Sequence, residues 1–250
     1  MDWKNSFRKI CKLELMNTEA IIKDILDALS DLGSAERREK LKTYIPTVQK
    51  VMGVTNPDVQ SILKELRTSY SPGTPREWIS LSKALVATSV FECQVLAYEM
   101  IGRDRKLLDA LEYRDLSSLG KNLDNWASVD HYTVGIFGVL WGRGVVKDCH
   151  IDTLLSSDNF WERRVAVVST VALNLKSRGG KGDTPRTITV CERVVDDHHD
   201  MIQKALSWAL RELSKRDREA VSSFMERYEN RLANRVVREV NHKLDFGTKN

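Results

Sequence analysis

The sequence has no apolar run approaching the length of a membrane span, and its opening, MDWKNSFRKICKLELM, lacks the apolar stretch of a secretory signal. Its four cysteines, Cys11, Cys93, Cys149 and Cys191, are scattered with no close pair. That argues against a zinc site or a disulfide framework and favours a reducing compartment, so a cytoplasmic protein is expected. No sustained period-2 alternation with turn signals is present, which leaves no basis for a sheet. A nucleophile elbow, a zinc-protease helix, a P-loop and a dinucleotide fingerprint are also missing, so any catalysis must depend on few groups. Charge of one sign is scarce as well: 39 basic residues face 35 acidic ones, a net +4 that is too mild to argue for nucleic acid without its distribution.

What is present is helical spacing almost throughout. With 250 residues, 42% of them hydrophobic, the chain can bury a substantial core. The spacing predicts helices over Thr18–Leu32, with Asn17 or Thr18 as cap and Gly33 as stop, and over Ala35–Tyr44. Asn56-Pro57, Thr74-Pro75 and Thr184-Pro185 each read as a cap followed by proline at the first helical position. Further helices are expected at Ser82–Ile101, Asp104–Tyr113, Leu116–Asp130, Thr133–Trp141, Asp158–Leu175, Pro185–Val195, Asp196–Leu213, Asp217–Tyr228 and Leu232–Leu244. Many short amphipathic helices without a heptad suit an all-α, curved superhelical stack of antiparallel HEAT-like helix pairs, an α-solenoid, better than a four-helix bundle. One such domain spanning 1–250 is expected, its concave side an extended binding surface. From Met201 to Asn250 there are 11 Lys and Arg against 7 Asp and Glu, so one face of the C-terminal half can be basic. A curved, partly basic trough matches a duplex.

The stretch DDHHDMIQKALSWALREL, Asp196 to Leu213, has two faces of different purpose. Ile202, Ala205, Leu206, Ala209, Leu210 and Leu213 form one apolar stripe that belongs in a core. Lys204, Trp208 and Arg211 fall at i, i+4 and i+7 on the other side. An exposed indole between two cations suits an anionic partner bearing rings or sugars; alternatively Trp208 packs on a neighbouring helix and the cations form a solvated rim. His198-His199 cannot clamp one metal ion, because adjacent helical residues point about 100° apart. Asp196 and Asp197 read instead as a helix N-terminus.

Three other stretches hold candidates. In LSSLGKNLDNWASVD, Leu116, Leu119, Leu123 and Trp126 step by three and four, and Asp130 takes the next place on that stripe. A carboxylate there sits at the rim of a cleft, has a partner, or caps the following helix. In FWERRVA, Trp161, Val165, Val168 and Ala172 form a buried stripe with Arg164 near its edge and Arg163 outward; an arginine so placed forks onto a phosphate or pairs with an acid on the adjacent helix. The loop 176–186, KSRGGKGDTPR, carries Lys176, Arg178, Lys181 and Arg186 among glycines that stop it from packing. It reads as a DNA-backbone contact or as a solvated insertion.

These residues together resemble the AlkD-like family of DNA alkylation-repair glycosylases, whose fold is a stack of HEAT-like helix pairs. The matching positions are Gly53-Val54 with Asn56-Pro57, Trp126 with Asp130, Trp161 with Arg163-Arg164, Lys204-Ala205 through Trp208 to Arg211-Glu212, and Arg235 with Arg238-Glu239. They run across most of the chain in the family's order, and the KALSWALREL block is the most specific. The resemblance implies that Trp126 and Trp208 wall the cleft, that Asp130 is the catalytic carboxylate, and that Arg163 or Arg164 contacts a phosphate. Lys204, Arg211, Arg235 and Arg238, with Arg178 and Lys181 of the loop, complete the expected DNA-binding set. Two departures stand out: Ala127 occupies a position that is commonly acidic in the family, and the glycine-rich insertion after Leu175 is longer than in its shortest members.

The expected activity is release of N3- or N7-alkylated purines from duplex DNA. Such a base already carries positive charge and leaves without prior protonation. A carboxylate need only stabilise the cation developing on the deoxyribose and orient the water, and indole faces favour the same cation. Neither metal nor cofactor is expected, and a monomer suffices. The alternatives are a non-catalytic HEAT-like module that binds DNA structure or a protein, and a protein-only scaffold whose C-terminal cations are paired and scattered.

Overall fold

A computed structural model describes residues 17–70 and 73–248. Among them the structure is all-α, as the spacing predicts, with no strand beyond an isolated parallel bridge between Lys50 and Val90. The chain divides into two compact units, residues 1–132 and 133–250.

In the first unit, α1 (Thr18–Leu32) is capped by Asn17, whose side chain accepts from the Ala20 amide at 3.2 Å. It buries Ile21, Ile25, Ala28 and Leu29, the i, i+4, i+7, i+8 positions of one stripe. α2 (Ala35–Tyr44) buries nothing on its own account. α3 (Asn56–Ser69) is capped by Thr55 rather than Asn56, with Pro57 in its first turn. α4 (Pro75–Ala87) begins at Thr74 as expected and has a complete capping box with Glu77. The predicted helix Ser82–Ile101 is two: α4 stops at Ala87, and α5 (Phe91–Gly102) starts after a turn in which Ser89 takes φ 55°. Both segments are apolar enough to be buried, so the periodicity runs through the break. Two short helices follow, α6 (Arg105–Ala110) and α7 (Tyr113–Leu119), and then α8 (Trp126–Tyr132). Helices α3, α5 and α8 pack in succession, with α4 against α1 and α5 to α7.

In the second unit a π-helical turn, Thr133–Phe137, continues directly into α9 (Gly138–Gly142). Then come α10 (Asp148–Leu155), unforeseen from the spacing, and α11 (Phe160–Asn174). α12 (Thr184–Arg193) is capped by Asp183 rather than Thr184. α13 (Asp200–Leu213), α14 (Arg218–Tyr228) and α15 (Asn234–Phe246) complete the chain. Helices α9, α11, α13 and α15 pack one on the next, while α10, α12 and α14 lie on them from the other layer. Short connections turn the chain back at each step, which gives the two-layer order of a HEAT-like stack.

α13 shows the two faces read from its sequence. Ile202, Ala205, Leu206, Ala209, Leu210 and Leu213 are all fully buried, while Lys204, Trp208 and Arg211 are only half-buried. Each large aliphatic so buried contributes about 1.5–3 kcal/mol of transfer free energy, which fixes this helix against α11 and α15.

Candidate active site

Two sets of candidate residues emerge, one in each unit. The first is built on α8. The helix predicted over Leu116–Asp130 is broken: α7 ends at Leu119, a turn follows in which Asn122 takes φ 59°, and a new helix begins at Trp126. Asn125 starts it, fully buried, its side-chain oxygen accepting from the Ser128 amide at 2.9 Å and its amide donating to Ser128 Oγ at 3.1 Å. The stripe through Leu116, Leu119 and Leu123 therefore does not extend to Asp130. Nor is Asp130 the cap of a following helix, since it lies inside α8, which runs without a stop into the π-helical turn. Single π-helical turns are frequent at functional sites, and four of the five residues of this one are buried.

Asp130 and Trp126 are one turn apart on the same side of α8, both half-buried. The Trp126 indole N–H donates to the Tyr44 carbonyl at 3.3 Å, and the two rings meet edge-on at 5.4 Å and 86°. Tyr44 is 71% exposed, and Val48, four residues on, is 96% exposed. On another side of α8, His131 Nε2 lies 3.2 Å from Glu99 Oε1, and Glu99 also pairs with Arg103 and accepts from Gln60 at 3.1 Å. The His131 contact, with burial opposing it and with Gln60 and Arg103 assisting, holds the Glu99 carboxyl below the usual range. The segments flanking α8 are tied together by Asp124, whose carboxylate accepts from Thr47, Val48, Gln49 and Asn125. The sequence reading missed Tyr44, Asp124 and the Glu99–His131 pair. The signal available was the Asn125-x-x-Ser128 cap spacing, which marks a helix start in the middle of the supposed stripe.

The second set lies on α11, α13 and α15. Lys204 pairs with Asp200 at 2.7 Å, one turn before Trp208. Arg211, one turn after it, donates to Ser207 Oγ at 3.2 Å and lies 3.6 Å from Glu239, which also accepts from Ser207 at 2.6 Å. Burial lowers the Arg211 guanidinium, with Glu239 and Glu212 opposing that shift. Arg235 spans the two acids, 3.9 Å from Asp200 and 4.0 Å from Glu239, whereas Arg238 is exposed and makes no ion pair among the described residues.

The arginines of α11 are more deeply engaged than their spacing predicts. Arg164 is 5% exposed and donates to the Met201 carbonyl at 2.5 Å, so it is buried rather than emerging at the edge of the stripe. Arg163 does not point freely outward: its Nε meets Asp197 at 2.7 Å and its Nη1 donates to the Ser157 and Asp158 carbonyls. That is the acid-pairing alternative, with the acid just before α13. Trp161 is half-buried against Phe160 and not part of a closed stripe. Phe160 stacks on His199 at 3.9 Å, and His199 accepts from the Met201 amide as the cap of α13, so this helix starts at Asp200 rather than Asp196.

The loop 176–186 packs, contrary to expectation. Gly180 donates to the Leu175 carbonyl and Gly182 to that of Leu173, closing the end of α11, and Arg216 clamps the Asn174 and Gly180 carbonyls at 2.8 Å. A Cβ at Gly180 would lie 2.5 Å from the Ala172 oxygen, so glycine is required for this close approach. Lys176 and Lys181 remain exposed, Arg178 is half-buried, and Arg186 pairs with Asp148 and lies 5.3 Å over the Trp141 ring. A groove of about 460 Å³ between α12 and α14, lined by Ile188, Phe224 and Tyr228, contains none of the candidate residues.

Helical hairpins in two layers define the class as a HEAT-like helical protein. The chain belongs to the DNA alkylation repair enzyme family, whose family model matches residues 25–244. Its fold is similar to a solved structure described as a predicted DNA alkylation repair enzyme from Enterococcus faecalis. The TM-score is 0.64 at 20% identity, over 86% of this chain and 97% of that one. No curated protein matches the sequence significantly. Among the described residues no helix is long and apolar enough to cross a membrane.

Proposed function

We propose that the protein is a monofunctional DNA glycosylase that hydrolyses the N-glycosidic bond of cationic N3- or N7-alkylated purines in duplex DNA, with no metal or cofactor. The observation that carries this reading is Asp130: a half-buried carboxylate inside a helix, sharing a face with an indole whose N–H is already committed to Tyr44. In the reaction a water oxygen bonds to C1′ as the C1′–N bond breaks. The bonding pair passes to the ring nitrogen and neutralises the base, and the water's proton leaves to solvent by way of Asp130. The carboxylate opposes the positive charge that builds on the sugar, and the face of Trp126 favours the same cation; Trp208, between Lys204 and Arg211, offers an aromatic face of the same chemistry in its own unit. Exposed Lys181 and Arg238, with Arg178, Lys204, Arg211, Arg235 and the outer edge of Arg163, serve the phosphate backbone. Surface ion pairs such as Lys204–Asp200 are worth about 0–1 kcal/mol, so a phosphate competes for them readily.

The extent of that pairing favours one other reading, a non-catalytic module that binds DNA structure or a protein. Incubation with N-methylated duplex DNA in EDTA separates the two. Release of 3-methyladenine or 7-methylguanine, with none from unmethylated DNA, supports the enzyme; binding without release supports the module.

A further inference from the structure

Trp126 can serve as an aromatic wall only if its ring plane is fixed. The indole is held from outside α8, by the carbonyl and ring edge of Tyr44 at the end of α2. Tyr44, the last residue of α2, is itself 71% exposed. The chain that follows it is anchored. Thr47 Oγ1 donates to both Asp124 oxygens at 2.8 Å, the Val48 amide donates to Oδ2 at 2.7 Å, and the Gln49 side chain donates to Oδ1 at 3.0 Å. The same Oδ1 also accepts at 2.8 Å from the side chain of Asn125, the residue that starts α8. One acid therefore joins the segment carrying Tyr44 to the start of the helix carrying Trp126. Gln49, 5% exposed, ties the junction into the core through Gln94 and the Asn122 carbonyl. Despite burial, these donors hold the Asp124 carboxyl below its ordinary range, so it stays charged at working pH.

We propose that Asp124 is the positioning residue of this site: by locking residues 45–49 to the start of α8 it sets the orientation of the Trp126 indole and, through it, the rate of the chemical step. The inference rests on the glycosylase reading for its effect on rate, but not for its effect on the ring. Asp124→Asn keeps one acceptor oxygen and turns an NH2 toward either the Val48 amide or the Gln49 and Asn125 side-chain NH2 groups, setting donor against donor in both orientations. Thr47→Val removes only the hydroxyl and is the milder perturbation.

The test uses full-length protein labelled with 5-fluorotryptophan. Its 19F resonance for Trp126 is identified by loss in Trp126→Phe, and the remaining tryptophan signals report that the fold persists. Both variants are expected to move or broaden the Trp126 resonance and leave the others in place. Single-turnover base release should fall about tenfold while DNA affinity changes less than about threefold, as a small misplacement of a catalytic surface does. A Trp126 resonance unmoved in both folded variants overturns the proposal, as does a moved resonance with wild-type release rates. A moved resonance in a protein whose wild type releases no base upholds the positioning of the ring and overturns the glycosylase reading and the rate effect that depends on it.

Discussion

Glu92 is buried in the first turn of α5, 2% exposed, and its carboxylate accepts from three consecutive backbone amides: Met52 at 3.0 Å, Gly53 at 2.8 Å and Val54 at 3.3 Å. Gly53 makes the nest possible with φ 79°, and a Cβ there would lie 2.4 Å from the Ser34 oxygen. The Gly53-Val54 pair that helps to mark the family in sequence is thus structural. Glu92→Ala strands three buried donors; at about 1–3 kcal/mol each, partly relieved by water entering the space, the loss should be roughly 3–5 kcal/mol. Glu92→Gln keeps an oxygen where Gly53, Val54 and Met52 converge and forfeits the charge and the second bond to Met52, a loss of roughly 1–2 kcal/mol. Urea unfolding should show both as shifts of midpoint with unchanged slope, and amide exchange at Gly53 should quicken in Glu92→Ala first. A Glu92→Ala loss below about 1 kcal/mol, or a Glu92→Gln variant as damaged as Glu92→Ala, would refute the carboxylate-nest account.

Asp115 is raised by burial but lowered further by Lys83, the Glu112 amide and Arg76, to about 2 from 3.8. A lowered folded value contributes stability that is complete above the unfolded value and is lost as pH falls through the folded one. Stability should therefore drop between about pH 4 and 2, and Asp115→Asn should flatten that part of a pH–midpoint curve; an unchanged curve would contradict the pairing. Gly180→Ala forces a methyl onto the α11 carbonyls and should cost about 1–3 kcal/mol in thermal unfolding, whereas a freely solvated loop would tolerate it. Arg163→Ala should destabilise by roughly 1–3 kcal/mol because it strips Asp197 of its partner. Lys181→Ala should leave stability alone and reduce the slope of log affinity against log salt by about one for duplex DNA; a Lys181 slope equal to wild type would remove the loop from the interface.

The helical class was legible because amphipathic stripes such as that of α13 are repeated along the chain. Boundaries were less so where both sides of a break are apolar, as at Thr88–Val90, because burial on all faces erases the period that marks a turn. At Gly120–Asn125 the accidental spacing of Leu123 hid a loop whose Asn125 cap was visible. Trp126 with Asp130 one turn later, and Trp208 between two cations, could be picked out as candidates from helical spacing alone. Whether Arg164 faced solvent or a carbonyl depended on Met201, distant in sequence, and no local pattern encodes that partner.

The most direct test compares wild type with Asp130→Asn in single-turnover release of 7-methylguanine and 3-methyladenine from methylated duplex DNA, with binding measured in parallel. The account predicts release by wild type, a fall of about tenfold or more in the variant, and equal binding, the pattern of a group that acts in the transition state alone. Equal release by the two proteins would contradict the role of Asp130, and binding without release by wild type would contradict the glycosylase itself.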